Sequence, residues 1–144
     1  MLKKPLFWGM TLFIAFVGIV NAIANHFFLY WRINEFDSFV HFTAGVSVSL
    51  AVLWFYFYSD FFRPEKRNIK NFVLISILGI TFIGVMWEIF ELGIGATSVA
   101  DAEYYFDTTL DLIMDSLGAL AGCFYACIKE YNREIIIKNN NEFN

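Results

Sequence analysis

Charged residues are scarce in this sequence, and what replaces them excludes an ordinary soluble domain. Asp, Glu, Lys and Arg make up 17% of the 144 residues, whereas hydrophobic residues make up 58%. A soluble domain is about 45–50% apolar even when glycine is counted. The mean hydropathy is +0.56. The few basic residues are no more than a membrane protein needs in its connections, so nothing suggests nucleic-acid binding.

Cysteine is also scarce, and its spacing excludes the usual redox motif. Cys123 and Cys127 lie one helical turn apart in an apolar run. A Cys-x-x-Cys motif has a shorter spacing, so we interpret both as small core residues rather than a redox pair or metal ligands. The sequence also lacks internal repeats, low-complexity linkers and a recognisable soluble domain. No Ser-His-Asp or Cys-His arrangement is evident, which argues against covalent catalysis.

Long apolar runs dominate what remains. Four of them are long enough to cross about 30 Å of hydrocarbon. They run roughly from Pro5 to Phe28, from Ser38 to Tyr58, from Asn71 to Leu92 and from Asp107 to Ile128. The sequence therefore predicts an all-α, multi-pass membrane protein: a four-transmembrane-helix bundle over residues 1–128 and a polar cytoplasmic tail over residues 129–144.

Basic residues are almost absent from two of the three connections between these spans. Nine of the ten precede the first span, separate the second from the third, or follow the fourth: Lys3, Lys4, Arg63, Lys66, Arg67, Lys70, Lys129, Arg133 and Lys138. The positive-inside rule then predicts that both termini are cytoplasmic. A secretory signal peptide ending at Ala22-Ile23-Ala24 is an alternative for the first span. The apolar stretch continues through Leu29, which suits a retained anchor better.

Seven ionisable side chains lie inside or at the rims of the apolar spans, at helical spacing. They are Asp37, His41, Glu88, Glu91, Asp107, Asp111 and Asp115. The predicted orientation places all seven at the outer ends of the second, third and fourth spans. Ionised groups are costly in hydrocarbon, so such a cluster indicates a functional site. Six are carboxylates and Arg32 is the only base nearby, so the cluster requires a cation or protons.

Small and amide residues accompany this acidic cluster. Gly118 and Gly122 continue the stripe of the fourth span, and Gly45 continues that of the second, so we expect close helix contacts that turn the acids inward. Asn21 and Asn25 lie one turn apart in the outer half of the first span. We predict that they support the site by ligation or hydrogen bonding, or that they join helices.

Several explanations of the acids remain open. A divalent metal ion of unknown identity would neutralise them. Mixed oxygen and nitrogen ligands suit Mn, Fe or Zn, whereas oxygen alone suits Mg or Ca. Shared protons would instead create a proton or cation path. Asp37 and Asp107 also fit simple helix N-caps, and Glu91 fits a place at the water interface.

The order of the motifs resembles that of a known family. The motifs are Asp37-x3-His41, Trp87-Glu88-x2-Glu91 and Asp111-x3-Asp115-x2-Gly118-Ala119, and they resemble those of the YjdF-like family of bacterial inner-membrane proteins. A more distant similarity is to VanZ-like membrane proteins, whose pattern has Asn at Asp115 and Gln at Glu91. VanZ-like members are associated with glycopeptide resistance at the cell envelope. The resemblance implies a bacterial inner-membrane protein with an outward polar site, and no particular reaction.

Three classes of function fit the sequence. The first is a metal-dependent membrane hydrolase or transferase, with unknown catalytic residues, that acts on a lipid-linked or envelope substrate. The second is a non-enzymatic proton or cation pathway, and the third is a structural or regulatory membrane subunit. Membrane lipid is the expected partner in every case, and a homo-oligomer stays open. Of the two ways to neutralise the acids, we favour the divalent metal ion.

Overall fold

The computed structural model describes residues 3–33, 35–59, 61–62 and 67–142, of which residues 3–6, 134 and 137–142 are described by their backbone alone. These residues form five helices: α1 (Lys3–Phe27), α2 (Leu29–Arg32), α3 (Phe36–Tyr58), α4 (Ile69–Ile94) and α5 (Tyr104–Glu142). The described part contains no strand. The four long helices are each long and apolar enough to cross a membrane. The predicted all-α fold with four spans is confirmed, whereas the cytoplasmic placement of both termini stays a prediction.

The helix ends follow local sequence signals. Phe28 adopts a left-handed conformation (φ 57°) that separates α1 from the short helix α2. Asn68 caps α4 because its side chain accepts a hydrogen bond from the Asn71 backbone, and this satisfies a free N–H of the first turn. Gly95 (φ 72°) ends α4 with its backbone N–H on the carbonyl of Glu91, as glycine in that conformation commonly does.

Helix α5 is longer than the apolar run from which the fourth span is predicted. Helix α5 begins at Tyr104 and continues without interruption to Glu142. Much of the segment expected to be a polar tail is therefore a continuation of the same helix. Neither Asp37 nor Asp107 is an N-cap, because α3 is preceded by Glu35 and Asp107 lies within the first turn of α5.

Helix α3 is the centre of the bundle. It packs against α1, α4 and α5, and α4 also packs against α5. The core between these helices contains Leu50, Leu53, Phe57 and Phe72, all at most 1% exposed. The rings of Phe57 and Phe72 stack with centroids 4.6 Å apart. Helix α1 packs mainly on α3, so α3, α4 and α5 form a compact group of three with α1 on its flank.

Backbone contact between α3 and α5 depends on glycine. A Cβ atom on Gly118 would overlap the Phe42 carbonyl, and a Cβ atom on Gly45 would overlap the Asp115 carbonyl. Small residues at such a crossing let two helices approach more closely than side chains normally allow. This close crossing places the beginning of α3 directly against the acidic face of α5.

Candidate metal site at one end of the bundle

Four ionisable side chains are buried where the beginnings of α3 and α5 meet the end of α4. His41 and Glu88 are each 8% exposed, and Asp111 and Asp115 are each 4% exposed. A buried charge is tolerated only when it is paired, hydrogen-bonded or bound to a metal. The surroundings of each side chain therefore decide what the cluster can do.

His41 is the centre of the cluster. Its Nε2 atom lies 3.8 Å from Asp37 Oδ1, one turn earlier on α3, and 3.8 Å from Asp111 Oδ2 on α5. On the other edge of the ring, Nδ1 lies 3.4 Å from Asp115 Oδ1. One imidazole thus faces three carboxylates, two on Nε2 and one on Nδ1.

Asp37, His41 and Asp111 form a group with the dimensions of a metal site. One ligand atom from each residue lies within 4.8 Å of the other two. Ligands about 2.1 Å from one ion can be at most about 4.2 Å apart. In a tetrahedral site the same bonds put ligand atoms about 3.4 Å apart, so the three atoms would have to approach one another by up to roughly 1.4 Å to bind a single ion. Asp37 is the accessible member, because its side chain is 40% exposed.

Helix α4 completes the wall of the site. Thr108 donates a hydrogen bond of 2.7 Å to Glu88 Oε2, which ties the end of α4 to the first turns of α5. One turn before Glu88, Gly84 leaves space for Asp115: a Cβ atom there would lie 2.9 Å from Asp115 Oδ2. The side chain of Glu88 is therefore held beside the group by a neutral donor.

The other two predicted acids lie at the rim. Glu91 is half-buried at the end of α4, and Asp107 is exposed on the first turn of α5. Among the described residues, neither belongs to the three-residue group around His41. The structure therefore brings together Asp37, His41, Asp111 and Asp115, adds Glu88 beside them, and leaves Glu91 and Asp107 nearer the surface.

The amides of α1 form a small network with a tyrosine that the sequence analysis did not identify. Asn21 Oδ1 accepts hydrogen bonds from Asn25 Nδ2 and from Tyr30 Oη, each 2.9 Å long. Burial, with the charges of Asp37 and Glu91, raises the pKa of Tyr30 to about 12. Tyr30 is thus a protonated hydrogen-bond donor near the rim of the site. A single tyrosine in a short connection has no periodic pattern that would have indicated this role.

A comparison with protein families shows which family the chain belongs to. A family model described as "Predicted membrane protein (DUF2238)" matches residues 2–130. The chain belongs to this family of predicted membrane proteins. The match includes the first three spans and nearly all of the fourth. It is consistent with the YjdF-like resemblance, while the more distant VanZ-like similarity stays a prediction. No curated protein and no solved structure matches the chain.

Proposed function

We propose that this DUF2238 protein binds a divalent metal ion through Asp37, His41 and Asp111. The observation that carries the proposal is the convergence of one ligand atom from each residue within 4.8 Å. Among the described residues, this end of the bundle carries more carboxylates than bases. An ion would offset the repulsion between carboxylates that burial otherwise makes costly.

The two edges of the imidazole support a division of roles. Nε2 faces Asp37 and Asp111, so it is the nitrogen that binds the metal. Nδ1 faces Asp115, 3.4 Å away. Histidine ligands commonly donate their second N–H to a carboxylate, which fixes the tautomer and the ring orientation. Asp115 then orients His41, and Glu88, held by Thr108, supplies further negative charge or a fourth ligand.

The donor set limits the metal and the chemistry. Two carboxylates and one imidazole suit Mn, Fe or Zn better than Mg or Ca. With three ligands from the protein, a catalytic site keeps a position for water or substrate. We propose that this open coordination position lies beside Asp37, on the side of the site where that side chain is exposed. In the predicted orientation it faces the outer leaflet, where a lipid-linked or envelope substrate would undergo metal-dependent hydrolysis or group transfer.

A proton or cation pathway is the second candidate, and the core argues against it. From Asp115 to Glu130, the next buried acid on α5, the helix rises about 22 Å. The buried residues between them on α5 carry no charge: Gly118, Ala119, Gly122, Cys123 and Ala126. In the adjoining core, Ser49 donates a hydrogen bond of 3.0 Å to Ser76. Both hydroxyl groups are neutral, so they add no charged residue to a path. The site is better described as a pocket that is open at one end.

A likeness to VanZ-like proteins would extend this proposal to the cell envelope. It rests on the order of the acidic motifs and on their placement on successive helices. The aspartate at position 115 is a departure that fits the proposed role, because a carboxylate orients a metal-bound imidazole more strongly than an amide does.

Metal content tests the proposal directly. Full-length protein, purified without chelator and dialysed against metal-free buffer, should retain close to one equivalent of Mn, Fe or Zn by elemental analysis. A His41→Ala variant should lose it, while His26→Ala, which alters an exposed histidine at the end of α1, should retain it. Equal metal content in wild type and His41→Ala, after reloading with each ion, would refute the site.

A further inference from the structure

A second polar network lies at the other end of the bundle, around Glu130. Although it belongs to the segment expected to be a polar tail, Glu130 is only 5% exposed. Tyr58, the last residue of α3, donates a hydrogen bond of 2.6 Å to Glu130 Oε2. Arg133 Nη2 donates one of 2.7 Å to Glu130 Oε1. Arg67 binds the Phe57 carbonyl at 2.9 Å and stacks on the Tyr58 ring.

The two guanidinium groups are only partly satisfied by this carboxylate. Arg133 Nε is buried and has no hydrogen-bond partner among the described residues. Nε and Nη2 form one edge of the planar guanidinium, an edge that binds two oxygens side by side. Glu130 binds Arg133 through Oε1, while its Oε2 accepts from Tyr58. Arg67 Nη1 is 3.8 Å from the same Oε1, beyond hydrogen-bond distance.

The charge and the location of this network indicate what kind of group would accept a hydrogen bond from Arg133 Nε. Two arginines and one carboxylate leave the network with a net charge of about +1 at neutral pH. Tyr58 is the last residue of α3, and the apolar run of α5 gives way to charged residues at Lys129, Glu130 and Arg133. The network therefore lies at the boundary between hydrocarbon and headgroups, at the level of lipid phosphates. The arginine side chains are 28% and 34% exposed, so a headgroup can approach their outer nitrogens. A small rotation of the Arg133 guanidinium would then present its buried Nε to the same headgroup.

We propose that Arg67 and Arg133 bind the phosphate group of an anionic membrane lipid. One phosphate oxygen accepts a hydrogen bond from Arg133 Nε. The edge formed by Nε and Nη2 then binds two oxygens, one from the phosphate and one from Glu130. A second oxygen lies toward Arg67. Basic pockets at helix ends are the usual binding places of such headgroups. This site is separate from the metal site, since Arg133 lies about 27 Å from Asp115 along α5, and it does not depend on the metal site.

Native mass spectrometry of the full-length protein, released from nanodiscs of phosphatidylglycerol and phosphatidylcholine, tests the proposal. Wild type should retain phosphatidylglycerol in preference to phosphatidylcholine. Arg133→Gln should lower the retained phosphatidylglycerol about tenfold, as loss of a charged hydrogen-bonding partner implies. The matched control is Lys129→Gln, which also removes one positive charge. Lys129 lies one helical turn before Arg133, and its side chain lies over the Tyr125 ring instead of joining the network. This control should retain phosphatidylglycerol like wild type.

Two outcomes would overturn the proposal. Equal losses in Arg133→Gln and Lys129→Gln would show general attraction to a basic surface. Displacement of phosphatidylglycerol by an equal concentration of inorganic phosphate would show a site for a soluble anion instead of a lipid. If Arg133→Gln does not elute as a folded protein, Arg133→Lys decides. It keeps the charge but lacks Nε, so it should lose most of the bound lipid, and full retention would refute the assigned edge.

Discussion

Replacing Asp111 by Asn tests the metal site with the least change in shape. The substitution keeps the volume of the side chain but removes a charge that is 4% exposed and 3.8 Å from His41 Nε2. We expect the variant to lose most of the stabilisation that metal gives to wild type. Without metal it should be as stable as wild type or more so, because a buried like charge has been removed.

The magnitude follows from mass action. At a free metal concentration of 100 times Kd, binding stabilises the folded protein by about 2.7 kcal/mol. If loss of a ligand weakens binding by about 100-fold, the upper end for residues that support a metal site, the variant retains about 0.4 kcal/mol at the same concentration. For a chain of this size, about 2–4 °C per kcal/mol converts these values into Tm shifts of roughly 5–11 °C and 1–2 °C.

The assay is thermal melting in detergent, with chelator or with Mn, Fe or Zn, followed by intrinsic fluorescence. Asp107→Asn is the matched control, because it makes the same chemical change one turn earlier on α5 at an exposed position. It should respond to metal like wild type. The increase in Tm caused by metal should become smaller as the pH falls, since protons compete for the carboxylates and the imidazole. A metal shift in Asp111→Asn as large as in wild type would refute the assignment of Asp111 as a ligand.

Three further predictions concern orientation, packing and the rim of the site. A cysteine introduced at Ala102 should react with an impermeant thiol reagent added to intact cells, and one at Phe62 should react only after lysis; the reverse pattern would invert the topology. Gly118→Ala should lower the free energy of unfolding by about 1–3 kcal/mol, the usual cost of overpacking, because the Phe42 carbonyl blocks the new methyl group. Gly9→Ala, where nothing lies within 4 Å, should be neutral or slightly stabilising in a chemical-denaturation series. The difference in ultraviolet absorbance between wild type and Tyr30→Phe should show Tyr30 titrating near pH 12. Because the folded state retains this proton after the unfolded state has lost it, stability should fall as the pH rises from about 10 to 12, less so in Tyr30→Phe.

Long apolar runs determined the spans without any help from tertiary structure. A run of about 20 apolar residues must satisfy its backbone hydrogen bonds internally in hydrocarbon, so the helices follow from composition. The level of the acids along each span also followed from the sequence. His41, Glu88 and Asp111 each lie within about two turns of the same end of the bundle, close to the level that the apolar pattern indicated.

The azimuth of each acid, by contrast, depended on how the helices pack. Residues four apart on an α-helix are separated by about 400°, so a stripe of that spacing rotates by about 40° at each step. Asp107 is then about 80° away from Asp115, which explains why it is exposed while Asp111 and Asp115 face α3. The acidic spacing alone did not distinguish these three residues.

Only the tertiary structure decided which residues became partners. The glycine contacts between α3 and α5 set His41 between Asp111 and Asp115, and they gave its two nitrogens different neighbours. Glu130 resembled a surface residue because its partners, Tyr58 and Arg67, are about 60–70 positions earlier in the chain. Local spacing determines which side chains share one face of a helix. Which face meets which helix depends on contacts between residues far apart in the sequence, and here those contacts create both polar networks.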